Sequence, residues 1–313
     1  MSYLVMGAGF AAIGFVVASL LLSFAVALAW RGVRARPHRA GTLFLLRMAP
    51  AIGTVVFVLG VVVPAFVAFE PRDAGEQAGL GLVLLAAVAA ALVLAGAYRA
   101  AASWLVTRKL ERTWRRVAQP ADFPGLRLPG YRVPSSLPFA ALVGIVRPRL
   151  FVSDRFFDAL SGEERRAVLQ HEAGHLAAFD NVKRAAIRLA PDWLGFTRTG
   201  REIEAAWANA AEEAADDHAA RSGEGLAVAG ALLKASRFGS ARLAPVSNFC
   251  DGATIARRVA RLLEDPPAPA GRATDAIVDA ASIAALAAGV VLASWKALPV
   301  TYATLETVVR LLP

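Results

Sequence analysis

The chain has a single cysteine, Cys250, among its 313 residues. One thiol excludes an intramolecular disulfide and any Cys-rich metal site. With no histidine near it in sequence, Cys250 reads as a small packing residue and not as a nucleophile. Histidine is nearly as scarce, with only His38, His171, His175 and His218. Neither internal repeats nor a glycine-rich phosphate loop occur. Carboxylates are outnumbered, 25 Asp and Glu against 34 Lys and Arg, for a formal net charge of +9. No run interleaves those bases with aromatic residues, so direct nucleic-acid binding is not expected. Much of the positive charge instead follows apolar stretches, where it sets topology and meets anionic lipid.

What the chain has in abundance is apolar sequence, 57% of all residues. Three long stretches fill the first third: Leu4–Trp30, Met48–Phe69 and Leu80–Leu105. Each exceeds the roughly 20 residues needed to cross a ~30 Å hydrocarbon core. Pro50 and Pro64 are expected to bend the second. The first is too long for a signal peptide and lacks a basic leading region. A fourth candidate, Ala276–Trp295, is Ala-rich and contains Asp279. Arg31, Arg34, Arg36 and Arg39 follow the first stretch, a mixed and slightly acidic segment follows the second, and Arg108, Lys109, Arg112, Arg115 and Arg116 follow the third. Positive-inside logic places the first loop and everything from about 107 to 272 in the cytoplasm. The expected organisation is three transmembrane helices over 1–106, a cytoplasmic domain over 107–272, and a fourth span with a short tail over 273–313.

Within that domain stands His171-Glu172-Ala173-Gly174-His175. On a helix, residues four apart share a face, so both imidazoles point the same way. Two neutral histidines so placed can bind one zinc ion, with the intervening Glu172 as general base for a metal-bound water. Ser161-Gly162-Glu163-Glu164 is a capping box that starts this helix, and the apolar pattern carries it to about Phe179.

A catalytic zinc site needs a third protein ligand. The Ala- and Glu-rich segment from Arg201 to Asp217 predicts a second helix. Glu213 and Asp217 are four apart on one face, and suit a third ligand and a carboxylate orienting a ligand histidine. Glu212 and Asp216 form the same pair one step around the helix and are the competing assignment. Elsewhere, Pro120–Pro138 reads as a loop. Phe139–Val146 and Leu150–Ser153 predict a hairpin, whose edge beside the metal helix offers a peptide an added-strand site. Asp180-Asn181 is a default cap for the next helix. Ile255–Glu264 predicts a basic amphipathic helix with solvated arginines. Asp265–Arg272 is a Pro-rich linker, and Leu298–Leu312 a short interfacial helix.

Over about 139–264 the chain resembles the integral-membrane gluzincins of the BlaR/MecR antibiotic-sensor type. The likeness is carried by Val146–Ser153, Leu160–His175 with the His-Glu-Ala-Gly-His motif, Asp180-Asn181, Glu213–Asp217 and the helix bearing Arg258 and Leu262. HtpX-type membrane proteases share the two metal motifs and are similar as well. The resemblance implies a mainly α membrane protein with a cytoplasmic α+β zincin-like protease domain and a small β-hairpin or sheet. It implies Zn²⁺ held by His171, His175 and Glu213, Glu172 as the base, and Asp217 as the supporting carboxylate. Antibiotic sensors carry a large extracellular domain after the last span, and only Lys296–Pro313 follow here, so no antibiotic-sensing role is expected. The implied partners are the lipid bilayer and a protein or peptide substrate, such as a transcriptional repressor in a signalling pathway or a damaged membrane protein in quality control. A catalytically quiet membrane scaffold with structural zinc is the reading from another class. The intact Glu172 argues against it, because a structural site needs no base.

Overall fold

The computed structural model describes residues 3–71, 79–221, 225–237, 252–264 and 297–311. Ala276–Trp295, the linker over Asp265–Arg272 and Cys250 lie outside the described residues. The fold is mainly helical with one small mixed sheet. Two compact units are formed, one from Met1–Tyr98, Leu189–Glu204 and Arg272–Pro313, the other from Arg99–Arg188 and Ala205–Gly271.

Among the described residues, three helical stretches are long and apolar enough to cross a membrane: Tyr3–Val33, Ala40–Phe69 and Leu80–Val117. The first is α1. The second comprises α2 (Ala40–Phe57), a π-helical turn (Val58–Val62) and α3 (Val63–Phe69). Pro64 lacks an N–H and its ring crowds the carbonyl four residues back, so the wider turn falls just before it. Pro50 sits inside α2. The second stretch begins at Ala40 and not near Met48, because Arg47 is buried and satisfied. Its Nη1 donates to Asp192 at 2.8 Å and its Nε to Glu204 at 3.0 Å. Both partners come from the segment 189–204 of the same unit. The C-terminal helix (Leu298–Leu311) packs through Leu298 and Leu305 into the core of this unit. Tyr302 Oη donates to Glu70 at 2.7 Å.

The second unit opens with the C-terminal part of α4 (Leu80–Val117) and carries β1 (Gln119–Ala121), β2 (Gly130–Val133), β3 (Ala140–Val143) and β4 (Arg149–Ser153) in the order β1-β2-β4-β3. β3 and β4 are the predicted antiparallel hairpin, while β2 pairs parallel to β4. Side chains alternate between faces along each strand. Phe139, Ala141, Val143 and Phe151 face Trp114 of α4, whose ring stacks on Phe139 at 4.5 Å. Ala140, Leu142, Leu150 and Val152 face Val168 and Leu169 of α6 (Gly162–Ala177) and Ala231 and Ala235 of α9 (Gly225–Arg237). With both faces covered, β3 and β4 read as continuous apolar runs. The remaining elements are α5 (Asp154–Ala159), α7 (Asp180–Leu189), a 3₁₀ turn (Trp193–Phe196), α8 (Arg198–Ala219) and α10 (Gly252–Glu264).

Candidate metal centre

α6 starts at the predicted capping box. Ser161 N donates to Glu164 Oε2 at 2.7 Å, and Glu164 N to Ser161 Oγ at 3.2 Å. The helix ends at Ala177, two residues short of expectation, because Phe179 turns the chain with φ +55°. That left-handed residue is uncommon for a bulky side chain. It brings Asp180, at the start of α7, back to His175.

His171 is 2% exposed and Glu172 3%. The two imidazoles face one point, with Nε2 atoms 3.1 Å apart. Glu212 of α8 completes the group, its Oε2 3.6 Å from His171 Nε2 and its Oε1 3.7 Å from His175 Nε2. The three donors lie within 4.8 Å of one another, a group that can hold a metal ion. Bonds of ~2.0–2.1 Å in a tetrahedral zinc site put donors about 3.3–3.4 Å apart, so spacing and donor chemistry fit. Glu212 Oε2 is buried between Arg258 Nη1 at 3.0 Å and His171 Nε2 at 3.6 Å, and so faces the point where an ion would sit.

The third donor is therefore one residue earlier than expected. Glu213 is turned outward, 33% exposed, and pairs with Arg257 at 2.9 Å. Asp217 pairs with Arg261 at 2.6 Å. The structure assembles the competing pair, Glu212 and Asp216. The reason lies in α8, whose buried stripe is Ile203, Trp207, Ala211, Ala215 and Ala219. With about 100° per residue, Glu212 and Asp216 flank that stripe, whereas Glu213 and Asp217 lie about 200° from it.

Each histidine is held from behind by a carboxylate. Asp216 Oδ1 is 3.0 Å from His171 Nδ1, and Asp180 Oδ2 is 2.7 Å from His175 Nδ1. With Nδ1 as donor to a carboxylate, Nε2 is left as the metal-directed atom. Asp180 is thus more than a helix cap, and its place five residues after His175 was the available signal. Asn181 Nδ2 donates to Leu142 O at 3.0 Å and Gly144 O at 2.9 Å, tying α7 to the edge strand β3. Gly144 has φ +112°, which favours glycine there.

α10 corrects a second expectation. Arg257 is exposed as expected, but Arg258 is not part of a solvated face. Arg258 is 1% exposed and reaches both Asp216 and Glu212, with Nη1 3.0 Å from Glu212 Oε2. Burial would raise the Glu212 carboxyl, but the Arg258 guanidinium and the two histidines hold it well below the usual range. Asp216 is lowered against burial in the same way, first by its bonds to Arg258 and then by His171. Burial would lower His171, yet Asp216 and Glu212 push it up to about 9. Burial raises Glu172 above the ordinary carboxylate range, with the histidines opposing, and the Leu142 N–H donates to it. α6 and α8 come close because residue 174 is glycine, where a Cβ would meet His218 Cβ at 3.0 Å and Ala215 Cα at 3.1 Å.

Residues 105–247 match the model of Peptidase family M48. That segment, under half the chain, holds His171, Glu172, His175, Glu212 and Asp216. With the three apolar helices among the described residues, this likeness supports a membrane-associated metallopeptidase. No curated protein matches the chain.

Proposed function

We propose that this protein is a zinc-dependent endopeptidase anchored in the cytoplasmic membrane, with its protease domain facing the cytoplasm. The observation that carries the reading is the convergence of His171, His175 and Glu212 within 4.8 Å, beside the buried Glu172 of the same helix turn. Zinc would be held by those three residues, and when bound would polarise the scissile carbonyl and acidify an attacking water. Glu172 would take that water's proton and return it to the leaving nitrogen. Its raised affinity for a proton suits a group that must both accept and give one near neutral pH. Asp216 and Asp180 would keep the two rings in register, and Arg258 would fix the carboxylate of Glu212.

The substrate would lie along β3. That strand is the sheet edge, and the Ser153 N–H bond to Phe139 O sets the alternation that turns the backbone of Ala140 and Leu142 away from β4. Leu142 is held by Glu172 and Asn181, so an extended peptide would add as a strand from Ala140. The cytoplasmic orientation is supported by the arginines after the first and third apolar stretches. A transcriptional repressor, by likeness to the BlaR/MecR group, or a damaged membrane protein, by likeness to the HtpX group, would be the substrate.

The test is cleavage of an unfolded casein substrate by detergent-purified protein. Activity should disappear with a chelator and return with zinc. Activity that survives complete metal removal rules the reading out.

A further inference from the structure

A cavity of about 650 Å³ opens in the second unit between the end of α4, the β3–β4 connection and α7. Its α4 wall runs from Ala100 to Glu111, across the point where that helix changes from apolar to charged. Leu105 and Val106 are exposed apolar residues, and Arg108, Lys109 and Arg112 follow. Trp104 is exposed with the Arg108 guanidinium 4.8 Å from its ring centre, the aromatic and cationic pairing of a bilayer boundary.

The opposite wall is cationic: Arg147 and Arg149 from the β3–β4 connection, Arg184 and Arg188 from α7. Among the described residues Glu111 is the only carboxylate on the lining, and Arg149 takes it. Among the described residues no carboxylate pairs with Arg108, Arg147, Arg184 or Arg188. Four guanidinium groups therefore converge on one space without an anion, and guanidinium forks match phosphate geometry. The rim adds an apolar tip, with Val146 89% exposed next to Arg147. A cation beside a bare aliphatic side chain suits the boundary between headgroup and acyl chain better than it suits a peptide carboxylate.

We propose that this cavity binds the phosphate headgroup of an anionic phospholipid. The inference rests on the reading that α4 crosses the membrane, but not on peptidase activity. It sets a lipid beside the catalytic residues, because Leu142, whose N–H holds Glu172, also lines the cavity.

The test is native mass spectrometry of the full-length protein in detergent, titrated with phosphatidylglycerol or phosphatidylcholine of equal chain length. Phosphatidylglycerol should bind at least tenfold more tightly. Arg147→Gln with Arg184→Gln should remove most of that preference, roughly fivefold per arginine. Arg112→Gln with Arg116→Gln, exposed on α4 and outside the cavity, should keep it. If the double cavity variant does not fold, Arg147→Gln alone on its exposed connection carries the same comparison. Equal affinity for the two lipids overturns the proposal. Equal loss in both variant pairs also overturns it, since that is diffuse juxtamembrane attraction. Displacement of the lipid by millimolar inorganic phosphate or by an acidic peptide shows a soluble-anion or peptide site instead. If alkaline carbonate strips the protein from membranes, the membrane reading itself fails. An integral protein without lipid preference fails only the cavity assignment.

Discussion

Arg258 grips Asp216 through two bonds, Nε to Oδ2 and Nη2 to Oδ1, each 2.7 Å long and buried. Asp216 in turn backs His171, so a residue on α10 helps to set a metal-directed imidazole on α6.

Removing that guanidinium leaves two buried carboxylates unbalanced. Arg258→Gln should lower unfolding free energy by about 3–5 kcal/mol, the usual effect of breaking a buried ion pair, with a matching fall in thermal midpoint. Arg258→Lys keeps the charge but loses the fork, and should fall between the two. A midpoint for Arg258→Gln equal to wild type contradicts the role given to α10.

Glu212 and Glu213 should separate cleanly. Glu212→Ala should remove zinc from the purified protein, since a metal ligand is lost. Glu213→Ala loses only a partly exposed pair with Arg257, worth about 0–1 kcal/mol, and should retain zinc at the wild-type level. Metal analysis of the two variants decides, and the reverse ranking would return the site to Glu213 and Asp217.

Much of this centre is legible in the sequence, and the limits are physical. His171, Glu172 and His175 are placed by helix periodicity alone, and the capping box fixes where their helix starts. The choice between Glu212 and Glu213 depends on which face of α8 is inward. Five small or bulky apolar residues four apart, from Ile203 to Ala219, carry that information, but the acidic run masks it. Arg258 looks like any arginine of a basic amphipathic helix, because its burial depends on partners 42 and 46 residues away. The β3–β4 hairpin shows as two apolar runs joined by a turn. β1 and β2 do not show, since they are three and four residues long, contain Pro120 and Gly130, and β2 pairs with β4 across twenty residues.

Zinc uptake should displace a proton. In the metal-free protein His171 is raised from 6.5 to about 9. A raised folded value means that its contribution to metal-free stability is complete below about 6.5 and is lost as pH rises through 9. Zinc takes the unprotonated ring, so at pH 7.5 binding should release about one proton from His171, and at pH 10 none from that residue. Calorimetry in buffers of different ionisation enthalpy reads this directly. Binding heat at pH 7.5 that does not vary with buffer contradicts it.

Topology should follow the arginines. A reporter fused after Arg36 should be active only as a cytoplasmic enzyme, and one fused after Asp73 only as an exported enzyme. The opposite pattern would put the protease domain outside the cell and exclude a cytoplasmic repressor as its substrate.

The most direct measurement is the turnover of a casein substrate by Glu172→Gln beside wild type at equal zinc content. The amide nearly matches the carboxylate in shape but cannot accept the proton of the attacking water. Zinc and thermal midpoint should be retained while turnover falls by about 10²–10⁴-fold, the usual contribution of a general base. Turnover equal to wild type with zinc in place would mean that Glu172 is not the base and that this metal centre does not hydrolyse peptides in the way proposed.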